Sequence, residues 1–167
     1  RRTRLLHMPP QPPISILMYH QIGPYPRPDA HRALFCHINR FRAQLKYLKW
    51  AGFDVINLTE ARRRLFEGKS YQRKSVVITV DDGYDDFREH AWPALQKESL
   101  SATVYLVSSL LGKDTAWLPD WPVKPKLMDT SAVRQLRREG CDFGSHAASH
   151  PRLSHLNAAQ QRGEIFE

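Results

Sequence analysis

A chain of 167 residues, 41% apolar and 25% charged, is long enough for one domain with a buried core and too apolar for wholesale disorder. Its formal charge of +8 suits an anionic neighbour such as a cell-envelope polymer, a membrane surface or nucleic acid. No apolar run reaches the ~20 residues of a membrane helix, and neither aromatic repeats nor basic heptads mark a nucleic-acid binder.

Taken in chain order, the elements alternate. The first residue is Arg1 and no apolar signal core follows it, so the chain is expected to be an excerpt or a processed form. "HMPPQPP" (His7 to Pro13) holds four of the twelve prolines, which predicts an extended leader over residues 1–13 and a domain from 14 to 167. "ISILMY" (Ile14–Tyr19) is a short, β-branched apolar run and reads as a buried strand, followed by the proline-rich loop "GPYPRPDAH". Phe41, Leu45 and Leu48 recur at helical spacing within Ile38–Gly52, and Gly52 is a suitable stop. "FDVIN" reads as a strand. "LTEARRRLFEG" reads as a helix with Thr59 as N-cap and Gly68 as terminator.

"SVVITV" (Ser75–Val80) is a continuous Val/Ile run of the kind found in parallel sheets. A helix is expected from about Asp86 to Glu98, with Asp85 and Asp86 as favourable charges at its N-terminus, then a strand at Ala102–Val107. Ser108–Met128, with Trp117, Trp121 and three prolines, reads as an irregular loop. Asp129–Gly140 is a capped helix, "CDFGS" a strand, and a last helix begins at Asn157 with Gln160 in the capping-box position. Such alternation predicts an α/β fold with a parallel sheet and crossover helices. No strand follows the last helix, so the domain is expected to continue past Glu167. The basic clusters Arg62–Arg64 and Arg137–Arg138 fall in predicted helices and read as solvated faces. Cys36 and Cys141 form no CxxC pair and read as two separate thiols, with one bridge between them as the alternative.

Two short stretches carry the chemistry. "TVDDGYDD" sets Asp81 and Asp82 at the carboxyl end of the Val/Ile strand, and "GSHAASHPRLSH" sets His146 at the end of another. In parallel sheets those ends hold the active loops. His146 and His150 are four apart, which predicts two imidazoles on one side of a single helical turn, limited by Pro151. Two imidazoles and a carboxylate make a three-point site for Zn²⁺, or for Co²⁺, Ni²⁺ or Fe²⁺, with a position left for water. Taken singly, paired aspartates before glycine are ordinary turn residues and spaced histidines ordinary surface residues. Their joint position at strand ends gives them weight. His20 ends the first strand at the same mouth, either to touch substrate or to bond a loop. His155 reads as a surface residue. Trp117 and Trp121 read either as a sugar-stacking wall or as core.

"TVDDGYDD" and "SHAASHP" resemble the first two motifs of the polysaccharide deacetylases, the NodB-homology domains of carbohydrate esterase family four. "AWPALQKESLSATVYLV" resembles that family's following helix and strand. "ILMYHQI" is similar to members acting on poly-N-acetylglucosamine and related envelope polymers. The resemblance implies a distorted, seven-stranded (β/α) barrel-like fold, of which this chain is the N-terminal portion. It implies Asp81 as catalytic base, and Asp82, His146 and His150 as ligands of one divalent ion. Val80 stands where the family usually has Phe. A backbone N–H near Tyr84 is the expected oxyanion donor. The implied activity is hydrolysis of N-acetyl groups on an envelope glycan, in the periplasm or outside the cell, with no nucleic acid involved. The resemblance further implies three motifs downstream of this chain: an orienting arginine, an aspartate–tryptophan segment and a leucine-x-histidine general acid. A silent metal- or glycan-binding piece and a hydrolase of non-sugar amides stand as the alternatives.

Overall fold

A computed structural model gives the structure of residues 12–26, 31–67, 71–115, 117–118 and 125–166. Most of the expected leader, Gly68 and Trp121 lie outside these described residues. The strands are β1 (Ile14–Tyr19), β2 (Gln21–Gly23), β3 (Phe35–His37), β4 (Asp54–Val55), β5 (Ser75–Val80), β6 (Thr103–Leu106) and β7 (Asp142–Ser145). The helices are α1 (Ile38–Trp50), α2 (Leu58–Phe66), α3 (Trp92–Glu98), α4 (Thr130–Arg138) and α5 (Ala158–Phe166).

β5 organises the main sheet, and all six of its residues are buried. β1 pairs with it in parallel along its whole length, from Ile14 opposite Ser75 to Tyr19 opposite Val80. Its other edge is shared: β4 pairs with Ser75 and Val76, and β6 with Thr79 and Val80. β7 extends the sheet beyond β6, giving the order β1-β5-β6-β7 with β4 beside β5. Every strand pairing described in this sheet is parallel, as the alternating pattern requires.

Burial explains why β5 shows no alternation. Val76, Ile78 and Val80 join Phe41, Leu45 and Leu48 of α1 and Trp92 and Leu95 of α3 in the main core. Val77 joins Ile56 and Ala61 in a second cluster, with Leu58 packed against it. With both faces covered, neither side of the strand opens to water, and its two hydroxyl residues, Ser75 and Thr79, are buried as well. Each Val or Ile taken fully from water contributes about 1.5–3 kcal/mol.

Local chemistry sets the helix ends. His37 caps α1 by accepting the Asn39 N–H at 3.1 Å, and Gly52, at φ 72°, closes it. The N-cap of α2 is Asn57 rather than Thr59, because the Asn57 side-chain Oδ1 accepts the Glu60 N–H at 2.8 Å and the helix begins one residue before Thr59. Asp129 caps α4 through the Ala132 N–H. Asn157 and Gln160 form the reciprocal capping box, both bonds at 3.0 Å. The helix expected from Asp86 opens as a π-helical segment, Phe87–Ala91, before α3. Pro93 has no N–H to donate to the carbonyl four residues back, and the wide turn lies immediately before it.

Other expectations change. β2 and β3, a parallel pair, stand on either side of the proline-rich loop, where no strand was expected. The segment after β6 contains a 3₁₀ turn, Ser108–Leu110, and antiparallel bridges Tyr84 to Leu127 and Asp114 to Lys126, so it is only partly irregular. Arg64 is no solvated cation: it pairs with Asp54 at 2.6 Å and Glu60 at 3.0 Å and donates to Ser75, tying α2 to the sheet. Cys36 and Cys141 are both free thiols.

Candidate metal centre

The two motifs leave the carboxyl ends of β5 and β7, the neighbours of β6 on either side. Asp81 continues the sheet, its N–H donating to the Tyr19 carbonyl at 2.9 Å. The chain then turns on two residues of positive φ, Asp82 at 73° and Gly83 at 76°. Aspartate tolerates this region, and at Gly83 any other residue would be strained, because a Cβ there would also meet Leu106 Cδ2 at 2.7 Å and the leucine would have to shift. On the other strand, the His146 N–H donates to the Leu106 carbonyl at 2.8 Å, so it too starts from fixed sheet backbone.

The segment from His146 to His150 is not the expected helical turn. Ala147 and His150 are left-handed, with φ of 64° and 65°. The imidazoles still converge, by loop geometry rather than helix periodicity. Ser108 and Ser109 N–H groups donate to the Ala147 and Ala148 carbonyls at 3.2 and 3.0 Å and hold this segment against the end of β6. Neither serine carried a sequence signal.

His146 Nε2 and His150 Nε2 each stand 3.3 Å from Asp82 Oδ1. One donor atom from each residue lies within 4.8 Å of the others. Asp82 is 4% exposed, and its Oδ1 is buried without a hydrogen bond of good geometry. An enclosed carboxylate oxygen facing two imidazole nitrogens is what a cation satisfies. One oxygen and two nitrogen donors suit a divalent ion of the zinc type. Burial opposes the charge on Asp82, but the two imidazoles outweigh it and hold the carboxyl well below the usual range. His146 is raised by its contact with Asp82, against burial.

Asp81 is half-buried and not one of the three converging residues. Burial raises its pKa, while the positive fields of His146 and His20 pull it down. His20 directly follows Tyr19, whose carbonyl accepts the Asp81 N–H, and its Nδ1 is buried without a partner. The Trp117 ring packs 4.3 Å from the His150 imidazole and 6.5 Å from Tyr84. Tyr84 is 1% exposed; burial first, then the Asp82 charge, raises its hydroxyl. Its backbone is bracketed by the Asp85 N–H to Lys126 and Met128 N–H to Gly83 bonds. His155 is exposed in a 3₁₀ turn, outside the cluster.

Asp85 and Asp86 do not both serve the helix N-terminus. Asp85 forms a bidentate pair with Arg88 at 2.8 and 2.9 Å. Asp86 turns inward, accepting the Tyr25 hydroxyl at 2.5 Å and the Ile22 N–H at 3.1 Å. Its partners come from the segment after β1, far away in the chain, and no spacing pattern announces them.

The fold and the site together define a parallel α/β domain that gathers an aspartate and two histidines at the carboxyl edge of its sheet. The polysaccharide deacetylase family pattern matches residues 68–167, and the chain belongs to that family. It is 28% identical over 154 residues to YxkH of Bacillus subtilis, which carries a provisional polysaccharide deacetylase name; the match covers 92% of this chain and 49% of that protein. It is 31% identical over 65 residues to the poly-beta-1,6-N-acetyl-D-glucosamine N-deacetylase of Escherichia coli K12, over 39% of this chain and 10% of that protein. The structure of the Streptococcus pyogenes deacetylase PplD in complex with acetate superposes with a TM-score of 0.73 at 25% identity, over 95% of this chain and 66% of that one. This chain thus spans about half the length of the first curated relative it matches.

Proposed function

We propose that this chain carries the metal-binding portion of a hydrolase that removes N-acetyl groups from an amino-sugar polymer of the cell envelope. The observation that carries this reading is the convergence of Asp82, His146 and His150 on one point, with Asp81 beside them and outside the triad. The name of the Escherichia coli relative supports the substrate class.

Asp82, His146 and His150 hold the ion, Zn²⁺ by its match to two imidazoles and a carboxylate, with Co²⁺, Ni²⁺ and Fe²⁺ as chemically related occupants. When bound, the ion supplies Lewis-acid polarisation of the acetamide carbonyl and acidifies water. Asp82 stays ionised, because the facing imidazoles keep its pKa low. Asp81 takes the proton of the attacking water at its carboxylate, and its raised pKa makes it the stronger base of the pair. The Tyr84 backbone N–H, in a turn fixed by its neighbours' bonds, donates to the developing oxyanion. His20 faces the substrate from the end of β1, and Trp117 walls the site beside His150. Trp121, read with it as a sugar-stacking ring, belongs to the same proposal. As the C–N bond breaks, its nitrogen takes a proton, the role the resemblance gives to a general-acid histidine downstream; acetate leaves, and a free amine remains on the sugar.

The test is acetate release from N-acetylglucosamine oligomers by the metal-loaded, full-length protein. Asp81→Asn is expected to slow release about 10²–10⁴-fold, the usual contribution of a general base, with metal content unchanged. No release, or equal rates for parent and variant, contradicts the reading and favours a silent glycan-binding role.

A further inference from the structure

The backbone between the two histidine ligands is unusual. Ala147 and His150 are both left-handed, a conformation that L-residues keep only where their surroundings impose it. From the sheet side, the Ser108 and Ser109 N–H groups bond Ala147 and Ala148, and the Ser109 hydroxyl donates to the Ala148 carbonyl at 2.6 Å. From the other side, one residue of α5 does the equivalent. Glu164 accepts the Ser149 N–H at 2.8 Å on one carboxylate oxygen and the Ser149 hydroxyl at 2.5 Å on the other. Its backbone carbonyl accepts the Ala148 N–H at 3.0 Å.

Both oxygens of Glu164 are therefore committed to the residue directly before His150. Hydrogen bonds to an ionised carboxylate are among the stronger ones available. The Ser149 hydroxyl and N–H hold the Glu164 carboxyl below its usual range, as bonds to the charged form do. α5 buries none of its side chains. These bonds tie it to the loop.

We propose that Glu164 is a positioning residue of the metal centre, fixing Ser149 so that His150 keeps the left-handed conformation that turns its Nε2 toward Asp82. This rests on reading the triad as a metal site. Partners one step behind metal ligands ordinarily matter for affinity, and their loss weakens binding about 10–100-fold.

The experiment is Zn²⁺ affinity by chelator competition in the full chain, with circular dichroism of the metal-free protein to confirm folding. Glu164→Ala is expected to bind about 10–100-fold more weakly. Glu164→Gln, which keeps an acceptor for the N–H and a donor for the serine oxygen, is expected to recover most of that loss. A purely structural role would not separate the two variants in affinity while their metal-free melting temperatures agree. If Glu164→Ala does not fold, Ser149→Ala carries the test, and a measurable weakening is again expected. Parent-like affinity in a folded Glu164→Ala, or in Ser149→Ala when it carries the test, overturns the inference while leaving the metal site standing. A parent chain that takes up no Zn²⁺ overturns the metal reading, and this inference with it.

Discussion

Asp86 follows an acidic, turn-forming stretch where a carboxylate ordinarily faces water, yet the fold encloses it between Tyr25 and the Ile22 N–H. Burial pushes its pKa up to about 7. The unfolded value is near 4, so the native chain binds this proton more tightly. The associated stability is fully present below about pH 4, and is lost as pH rises through about 7. Asp86→Asn is expected to remove that slope: its melting temperature gains on the parent as pH goes from 5 to 8. Parallel curves for the two proteins would show that Asp86 does not titrate in this window. The contrast with the converging triad shows what sequence can convey at this scale. Asp82, His146 and His150 were legible because residue type and strand-end position sufficed. Asp86, Ser109 and Glu164 were not, because their roles come from distant partners that spacing does not reveal.

Elements were legible where a pattern was long enough to be read. β5 announced itself as six consecutive residues without alternation, and α1, α4 and α5 by apolar spacing or caps. β2 and β3, three residues each, are too short for any period to show. The helical turn expected between His146 and His150 failed because two residues adopt positive φ, which no residue in "HAASH" demands. Turn geometry also has an energetic consequence at Gly83. Gly83→Ala forces a Cβ against Leu106 at a left-handed position and is expected to lower stability by about 1–3 kcal/mol. A urea-unfolding midpoint equal to that of the parent would mean the β5–α3 turn relaxes without cost. Asn57→Ala, by removing the cap of α2, is expected to lower stability by about 1 kcal/mol in the same measurement.

Across the molecule, the triad joins the ends of β5 and β7, which have β6 between them. An ion held there would tie together two segments that already approach each other through Asp82 and the two histidines. Because such an ion binds the native chain, Zn²⁺ at about 100 times its dissociation constant is expected to add about 2.7 kcal/mol of stability. The melting temperature should rise with added Zn²⁺ and fall back with EDTA. A melting temperature indifferent to both would leave the triad without a resident ion. The most direct measurement is anomalous diffraction at the zinc edge from crystals grown with Zn²⁺. The account expects a peak bonded at about 2.0–2.2 Å to Asp82 Oδ1, His146 Nε2 and His150 Nε2, with Asp81 outside the coordination sphere. A zinc peak held by other residues, or those three side chains diverging with no peak between them, would contradict it.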